Sequence, residues 1–228
     1  MKRKLVIASH HKCATRFLRL YLEDLCARNT LTMFRSHDDR ALPEGNPDIL
    51  FYSNAQYSWI KKHYDGTVLH IIRNPLSIIA SAYYSHRYSH SLDNWPELAR
   101  QRTTLNQLEK DQGIEHTVKF LESENLLGSI WVPLRALKFW DFSDPEMISI
   151  RMEDLVESPT LILQSHLQRT FGDDLDLPVE EEFHFSKTTG GRKLGNQDIK
   201  SHFRSGDPNN WRVELPKSTW LHLSLIHI

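Results

Sequence analysis

Short apolar runs alternate along the chain with segments of helical periodicity. Residues 4–9 (KLVIAS) predict a buried first strand, and the small, polar residues 9–14 (SHHKCA) predict a loop. From Thr15 the apolar positions follow the spacing i, i+1, i+4, i+5 and i+8, which is typical of one broad helical face. These positions are Phe17, Leu18, Tyr21, Leu22 and Leu25. The chain is therefore predicted to open as strand–loop–helix, with Lys12 in the loop.

A second strand–turn–helix unit is predicted for residues 67–89. Residues 67–72 (TVLHII) give the strongest strand pattern in the chain. Asn74 suits a helix N-cap and Pro75 suits the first helical position, so the strand should pass directly into a helix that runs to about Ser89. Arg73 then lies at the junction between strand and helix.

The rest of the chain continues the alternation. Further strands are predicted at residues 32–35, 49–52 and 147–151. Helices are predicted at 58–64 with Gly66 as the C′ residue, and at 159–171 with Ser158 as the cap and Pro159 in the first position. Residues 92–143 are predicted to form two or three helices that break near Gly113, Gly128 and Pro133, and residues 172–182 and 186–212 a linker and a loop. This order predicts an α/β protein with a parallel sheet, as a single domain over residues 1–228.

Composition narrows the class of protein. The chain has 228 residues, 28 Lys and Arg against 29 Asp and Glu, and 39% hydrophobic residues. This balance excludes a disordered chain, and the near-zero net charge argues against bulk electrostatic binding of nucleic acid. No apolar run is long enough for a membrane span, and we expect no signal peptide. With only two cysteines, Cys13 and Cys26, we expect a cytoplasmic protein without a disulfide framework.

The segment 9–17 (SHHKCATRF) has the features of an anion-binding loop. A strand that passes through a loop of small residues into a helix presents backbone N–H groups and the positive end of the helix dipole. Lys12 adds a full positive charge. The segment lacks the glycines of a Walker loop, and its lysine precedes the small residues instead of following them. An ordinary turn with a solvated lysine is the alternative interpretation.

The segment 70–86 (HIIRNPLSIIASAYYSH) also suits a phosphate. Arg73 ends a strand, and Ser77 and Ser81 lie one helical turn apart on the following helix. A guanidinium group matches phosphate oxygens bidentately, and hydroxyls add donors. An ion-paired arginine with two packing serines is an equally good interpretation of this segment alone.

The segment 203–212 (FRSGDPNNWR) combines a charge, a hydroxyl and a permissive backbone in Arg204, Ser205 and Gly206. Such a segment could close over a bound anion. Taken alone, however, it is better explained as a solvated turn.

Together, in this order and spacing, these segments resemble the PAPS-dependent sulfotransferases. HKCATRF resembles that family's 5′-phosphosulfate loop, usually P-K-S-G-T-T-W, and RNPLSIIAS resembles its 3′-phosphate motif, an arginine followed eight residues later by a serine. RMEDLVESP is similar to the Y-E-D-L segment, and FRSGDPNNW to the late R-K-G-x-x-G-D-W element. The resemblance covers residues 3–90 and 147–212, and residues 92–143 match only as a helical insert. It implies a three-layer α/β/α architecture with a central parallel sheet, like that of P-loop NTPases.

The resemblance also implies which residues contact the nucleotide. They are Lys12, Cys13, Ala14, Thr15, Arg16, Phe17, Arg73, Ser81, Met152, Arg204, Ser205 and Gly206. The chain departs from the family pattern at several of these positions. Ala14 replaces the usual glycine, Met152 stands where relatives have a tyrosine that touches the adenine, and Ser205 replaces a lysine. Binding of the 3′-phosphate would therefore rest more on Arg73 and Arg204.

The reaction implied by the resemblance is transfer of a sulfuryl group from 3′-phosphoadenosine 5′-phosphosulfate (PAPS) to a hydroxyl or amine. The product of the donor is adenosine 3′,5′-bisphosphate. As in phosphoryl transfer, the displacement is in line, and Lys12 is expected to stabilise the leaving phosphate without a metal ion.

An acceptor hydroxyl also needs a general base. FRSHDDRALP resembles the family's K-T-H-L-P segment, which makes His37 the candidate base. Asp38 or Asp39 could orient its imidazole, and His10 or His11 is the alternative base. His86 and His90 have the i, i+4 spacing of a metal pair, but no third ligand is apparent, so we do not expect them to bind a metal.

Two other functions are compatible with the sequence. One is a nucleoside-triphosphate-dependent kinase, which the absence of a Walker lysine motif and of a magnesium-binding aspartate disfavours. The other is a non-catalytic nucleotide-binding protein on the same fold, which the substitutions at Ala14, Met152 and Ser205 would permit. The sequence does not indicate whether the acceptor is a small molecule, a lipid or a carbohydrate, and it leaves the oligomeric state open. The 17 residues after Trp211 end in the apolar sequence LSLIHI, which indicates either a buried end or a truncated chain.

Overall fold

The computed structural model describes residues 4–37, 40–93, 95–123 and 132–224. The strands in these residues are β1 Leu5–Ala8, β2 Met33–Ser36, β3 Ile49–Tyr52, β4 Val68–Ile72 and β5 Met147–Arg151. The helices are α1 Thr15–Asn29, α2 Tyr57–His63, α3 Pro75–Tyr84, α4 Pro96–Gln107, α5 Lys110–Glu122, α6 Pro133–Lys138, α7 Met152–Glu157, α8 Pro159–Phe171, α9 Phe185–Thr188, α10 Trp211–Glu214 and α11 Lys217–Ser224. Helix α3 continues into a π-helical turn, Ser85–Ser89, and a 3₁₀ turn, Glu180–Phe183, precedes α9.

The five strands form one parallel sheet in the order β2-β3-β1-β4-β5. In its register, Ala8 of β1 lies between Tyr52 of β3 and His70 of β4. The chain places β3 on one side of β1 and β4 on the other, so the carboxyl end of β1 is the switch point at which α/β sheets bind ligands. The α/β class and the parallel sheet expected from the sequence are confirmed.

The described chain divides into two compact units. The first runs up to Arg73 and includes Phe139–His184, and the second comprises Asn74–Lys138 and the chain from Phe185 onward. The sheet with α1, α2, α7 and α8 belongs to the first unit, and the remaining helices belong to the second. A compact unit need not fold alone, so the prediction of one domain over residues 1–228 stays a prediction.

The three central strands of the sheet, β1, β3 and β4, are buried on both faces. Leu5 and Ile7 pack with α1, α7 and α8, whereas Val6 and Ala8 pack on the opposite face with α2 and Trp140. Burial on both faces explains why the strands were recognisable as continuous apolar runs. Helix α1 buries the five positions that its periodicity selected. The first unit therefore has three layers, with the sheet in the middle.

The second unit is helical, and α3 begins as its sequence predicted. The Asn74 side chain accepts a hydrogen bond from the Leu76 N–H at 2.9 Å, and Pro75 occupies the first turn. Trp95, Leu98, Phe120 and Val132 form an apolar cluster in this unit. None of the helices in the described residues is long and apolar enough to cross a membrane.

The helix break predicted near Gly113 lies earlier, at Leu108 and Glu109 between α4 and α5. Gly113 lies inside α5, and a Cβ atom at this position would come within 2.8 Å of the Tyr83 ring. The glycine therefore permits a close approach between α3 and α5 and does not end a helix. The predicted break at Pro133 is confirmed, because α6 begins there. The predicted break at Gly128 lies outside the described residues.

One predicted helix cap is wrong and another is confirmed. Helix α2 ends at His63, and its C-cap residue, Tyr64, has an extended backbone, so Gly66 is not its C′ residue. Ser158 is the N-cap residue of α8, as predicted, although its side chain makes no capping hydrogen bond to the described helix. Pro159 alone fixes the backbone of the first turn, which is sufficient to start a helix.

Candidate functional site

The loop between β1 and α1 has left-handed backbone at two non-glycine residues, Lys12 (φ 69°) and Ala14 (φ 57°). Each such residue costs about 1 kcal/mol or more, so the surrounding contacts must hold the loop in place. The Cys13 N–H donates to the His10 carbonyl at 2.9 Å, and the Ser9 hydroxyl donates to the Cys13 carbonyl at 2.7 Å. Left-handed residues within a tight turn are typical of backbone nests that bind anions.

Helix α1 begins directly after this loop. Its first intrahelical bond runs from the Leu18 N–H to the Ala14 carbonyl at 2.9 Å. A helix leaves the N–H groups of its first turn without intrahelical acceptors, and the helix dipole makes the potential there positive. Thr15 and the exposed Arg16 occupy this turn. The combination of loop and helix N-terminus suits a phosphate or phosphosulfate group.

Arg73 reaches the same loop from the end of β4. Its Nη1 donates to the Lys12 carbonyl at 2.8 Å, so the structure brings together two residues that the sequence selected. Burial, and secondarily the nearby Arg73 charge, lowers the pKa of Lys12 to about 7. A bound dianion would raise this pKa again, because it would favour the charged form of the lysine.

The other selected residues of the first unit face its core. Burial raises the pKa of the Cys13 thiol to about 12, so Cys13 is a neutral packing residue at physiological pH. Phe17 is buried and packs edge to face against Phe183, with ring centroids 6.2 Å apart. Met152 opens α7 and, like Ala14, packs against the main apolar core. Their contacts with a nucleotide stay predictions.

His37 follows β2 directly, and both of its ring nitrogens have partners. Its Nδ1 lies 2.7 Å from Ser53 Oγ, and its Nε2 lies 3.3 Å from Arg35 Nη1. The Asn54 amide donates to the His37 carbonyl at 2.7 Å and fixes the backbone. Partial desolvation and the charges of Arg35 and Arg19 lower the pKa of His37, which favours a neutral ring that can accept a proton. Asp38 and Asp39, expected to orient this ring, lie outside the described residues.

The alternative base His10 is buried in a pair with His70. Their Nε2 atoms are 2.7 Å apart, and Trp140 stacks on His70 with centroids 3.5 Å apart and an interplanar angle of 11°. Burial lowers the pKa of His10 to about 3 and holds the pKa of His70 far below its usual range. His10 is therefore a poor proton acceptor at neutral pH. The other alternative, His11, is also buried.

Ser81, Arg204, Ser205 and Gly206 belong to the second unit. Ser205 is buried, and its hydroxyl accepts a hydrogen bond from the Asp207 N–H at 3.3 Å. Gly206 has a φ of 69°, and a Cβ atom there would lie 2.6 Å from the Phe185 ring, so this position requires glycine. Ser81 is partly buried on α3. The cofactor contacts assigned to these four residues stay predictions.

Arg204 lies in a polar network that the sequence did not indicate. Its guanidinium donates to Gln197, Asn210 and Glu214, and it lies over the Tyr84 ring at 4.4 Å. Burial opposes ionisation of Glu214, but its hydrogen bonds, among them one from Lys110 at 2.7 Å, outweigh that effect and lower its pKa to about 2. Arg204 therefore faces a carboxylate that is charged at every physiological pH. Any phosphate would compete with that carboxylate for the guanidinium.

His86 and His90 form part of the packing of the second unit. His86 is buried, with its Nδ1 2.8 Å from Gln101 Oε1, and the Trp95 ring contacts both imidazoles. The two imidazoles are nearly perpendicular, at 86°. Within the described parts of the chain, no three His, Cys, Asp or Glu side chains are grouped so that they could hold a metal ion.

Comparisons with known proteins support the fold. No family model matches the chain, and no curated protein matches it. Among solved structures, the chain is similar to mouse sulfotransferase SULT7A1 in a crystal structure complexed with PAP, with a TM-score of 0.60 and 13% sequence identity. The match covers 99% of this chain and 83% of that chain. At this identity the likeness shows the fold alone, and the chain has a sulfotransferase fold.

Proposed function

We propose that the chain is a sulfotransferase that moves a sulfuryl group from PAPS to a hydroxyl or amine acceptor. The proposal is carried by the loop after β1, in which left-handed backbone, a helix N-terminus, Lys12 and Arg73 meet at the switch point of the sheet. These are donors and cations, the groups that fit a phosphate or phosphosulfate. The mouse sulfotransferase of similar fold is complexed with PAP, which supports the choice of nucleotide.

In the proposed reaction, the residues of this chain supply charge and take up a proton. Lys12 would stabilise negative charge on the phosphate that leaves, and the donor N–H groups of the loop would share that charge. His37 would take the proton of the acceptor hydroxyl. Because Lys12 and Arg73 provide the positive charge, the proposal needs no metal ion.

Ligand-induced stabilisation tests the binding part of this proposal. Adenosine 3′,5′-bisphosphate is expected to raise the Tm in the absence of magnesium, since a ligand that binds only the folded state stabilises it. A larger shift with ATP and magnesium would favour the kinase instead. Binding of the bisphosphate without transfer of labelled sulfate from PAPS to any acceptor would favour a non-catalytic nucleotide-binding protein.

Replacement of Lys12 tests the catalytic role. Lys12→Ala should lower turnover by about 10²–10³-fold, the usual effect of removing one stabiliser of developing charge, and should weaken bisphosphate binding much less. Lys62→Ala is the matched control, because Lys62 is exposed on α2. Unchanged turnover in Lys12→Ala would refute the assigned role.

The acceptor and the cellular location complete the proposal. Cys13 and Cys26 are both free thiols, which supports a reducing, cytoplasmic location. The acceptor would be a small molecule, a lipid or a carbohydrate with a hydroxyl or amine. Transfer of labelled sulfate from PAPS to fractionated extracts of the source organism, followed by identification of the labelled product, would decide among them.

A further inference from the structure

We propose that Ser53 is a positioning residue that fixes His37 in its Nδ1–H tautomer and so leaves Nε2 as the proton-accepting atom. The inference rests on the proposed function, in which His37 is the general base. It starts from two contacts on opposite sides of one ring, Ser53 Oγ at 2.7 Å from Nδ1 and Arg35 Nη1 at 3.3 Å from Nε2.

The hydrogen bonds of Ser53 determine which atom donates. A serine hydroxyl carries a single proton, and Ser53 Oγ donates it to the Ser36 carbonyl at 3.0 Å. Towards His37 the same oxygen can therefore only accept. The hydrogen on Nδ1 must then belong to the imidazole.

The contact on the other side of the ring leads independently to the same tautomer. A guanidinium group has donors and no acceptor, so Arg35 Nη1 can approach Nε2 only if that nitrogen presents its lone pair. The neutral imidazole of histidine in water favours the opposite tautomer, with its proton on Nε2. The protein has therefore reversed the intrinsic preference of the ring.

The fold makes this arrangement rigid. Strands β2 and β3 are parallel neighbours in which Ser36 pairs with Tyr52, so His37 and Ser53 are the next residues at their carboxyl ends. The Ser53 N–H also donates to the Ser36 carbonyl at 3.0 Å. Ser53 is only 2% exposed, so water competes little for its hydroxyl. The next residue, Asn54, holds the His37 carbonyl from the same side.

The catalytic consequence follows from the proton balance. As the acceptor oxygen forms its bond to sulfur, the bond from sulfur to the bridging phosphate oxygen breaks and adenosine 3′,5′-bisphosphate leaves. The acceptor O–H bond breaks in the same step, and its proton moves to His37 Nε2, where the acceptor hydroxyl has replaced Arg35 Nη1. The resulting imidazolium keeps its Nδ1–H bond to Ser53 Oγ, which stabilises it. Among the described residues, Arg35 on β2 and Arg19 on α1 lower the pKa of this ring and so disfavour the imidazolium. The neutral acceptor at Nδ1 favours it.

The test measures the tautomer directly. Long-range ¹H–¹⁵N spectra of the full chain, with the His37 signals assigned from a His37→Gln sample, should show a protonated Nδ1 and an unprotonated Nε2 in the neutral ring. In Ser53→Ala only the longer Arg35 contact, at 3.3 Å, still opposes the intrinsic preference of the ring, so the signals should shift towards the Nε2–H form. With PAPS and an acceptor, Ser53→Ala should lower kcat by about 10–100-fold, the range found when a partner that orients a metal-bound histidine is lost, while KM changes little.

Two variants separate positioning from a loss of packing. Ser53→Cys keeps the shape of the side chain, with one larger atom, but accepts hydrogen bonds weakly, so it should show the same shift of tautomer and loss of kcat as Ser53→Ala. Ser58→Ala, an exposed serine on α2, should change neither. A wild-type ring protonated on Nε2, or a tautomer unchanged in Ser53→Ala, overturns the inference even if sulfuryl transfer is observed. The predicted tautomers without any sulfuryl transfer support the positioning by Ser53 and overturn the proposed function.

Discussion

The buried pair of His10 and His70 should make this protein unusually sensitive to mild acid. Both rings are held neutral in the folded state, whereas in the unfolded chain they titrate with a pKa near 6.5. Their Nε2 atoms are 2.7 Å apart, so only one proton fits between them and the two rings cannot both be charged. Charging either ring would also place a charge in the core beside Trp140.

The sign and size of the effect follow from these pKa values. Because the folded-state pKa lies below the unfolded-state pKa, the unfolded chain binds the protons. Stability is therefore complete above pH 6.5 and is lost as the pH falls towards about 3. Each ring lowers the free energy of unfolding by about 1.4 kcal/mol per pH unit in this window, which gives about 4 kcal/mol for the pair at pH 5. The free energy of unfolding of a typical domain is roughly 5–15 kcal/mol, so this loss is a large fraction of it.

Urea denaturation at a series of pH values between 7 and 5 measures this slope. His70→Gln removes one of the two titrating rings, so the slope should fall by about 1.4 kcal/mol per pH unit relative to the wild type. Ile60→Val is the control, because Ile60 lies in the apolar cluster that contains Trp140 and does not titrate. This variant should lower the free energy of unfolding by about 0.5–1.5 kcal/mol equally at every pH. An equal slope in the wild type and His70→Gln would show that the pair does not hold its rings neutral.

Three further substitutions test individual features of the structure. Gly113→Ala should reduce the free energy of unfolding by about 1–2 kcal/mol in urea denaturation. The strain of a Cβ atom 2.8 Å from the Tyr83 ring exceeds the gain of about 1 kcal/mol in helix propensity, and a stabilised variant would contradict this. Asn74→Ala should cost about 1 kcal/mol in the same assay, since the Leu76 N–H loses its cap, and an unchanged midpoint refutes the capping role. Arg73→Ala should weaken the binding of adenosine 3′,5′-bisphosphate by about 10–100-fold in calorimetry, as expected for the loss of a charged hydrogen bond. An affinity equal to that of the wild type would argue against a contact between Arg73 and the nucleotide.

Local sequence patterns were sufficient for the elements that carry the candidate site. The β-branched run before Ser9, the periodicity of α1 and the sequence Asn74-Pro75 each express a preference of a few neighbouring residues. They therefore placed Lys12 in a strand-to-helix loop and Arg73 at the end of a strand. Local patterns failed at Gly113, because its role depends on packing against a distant segment. They did not indicate α7 either, because so short a helix has no clear repeat.

The partners of the candidate residues were decided only by tertiary structure. Ser53 meets His37, and His10 meets His70, through the parallel register of neighbouring strands, and a one-residue slip would move every side chain to the other face. Arg204 has the residue type expected of a phosphate ligand, yet its carboxylate partner, Glu214, is supplied by helix α10. The sequence by itself thus determined the fold class and the types of side chain near the loop. Which of them are neutral, charged or oriented depended on desolvation and contacts between residues far apart in the chain, which only the folded structure creates.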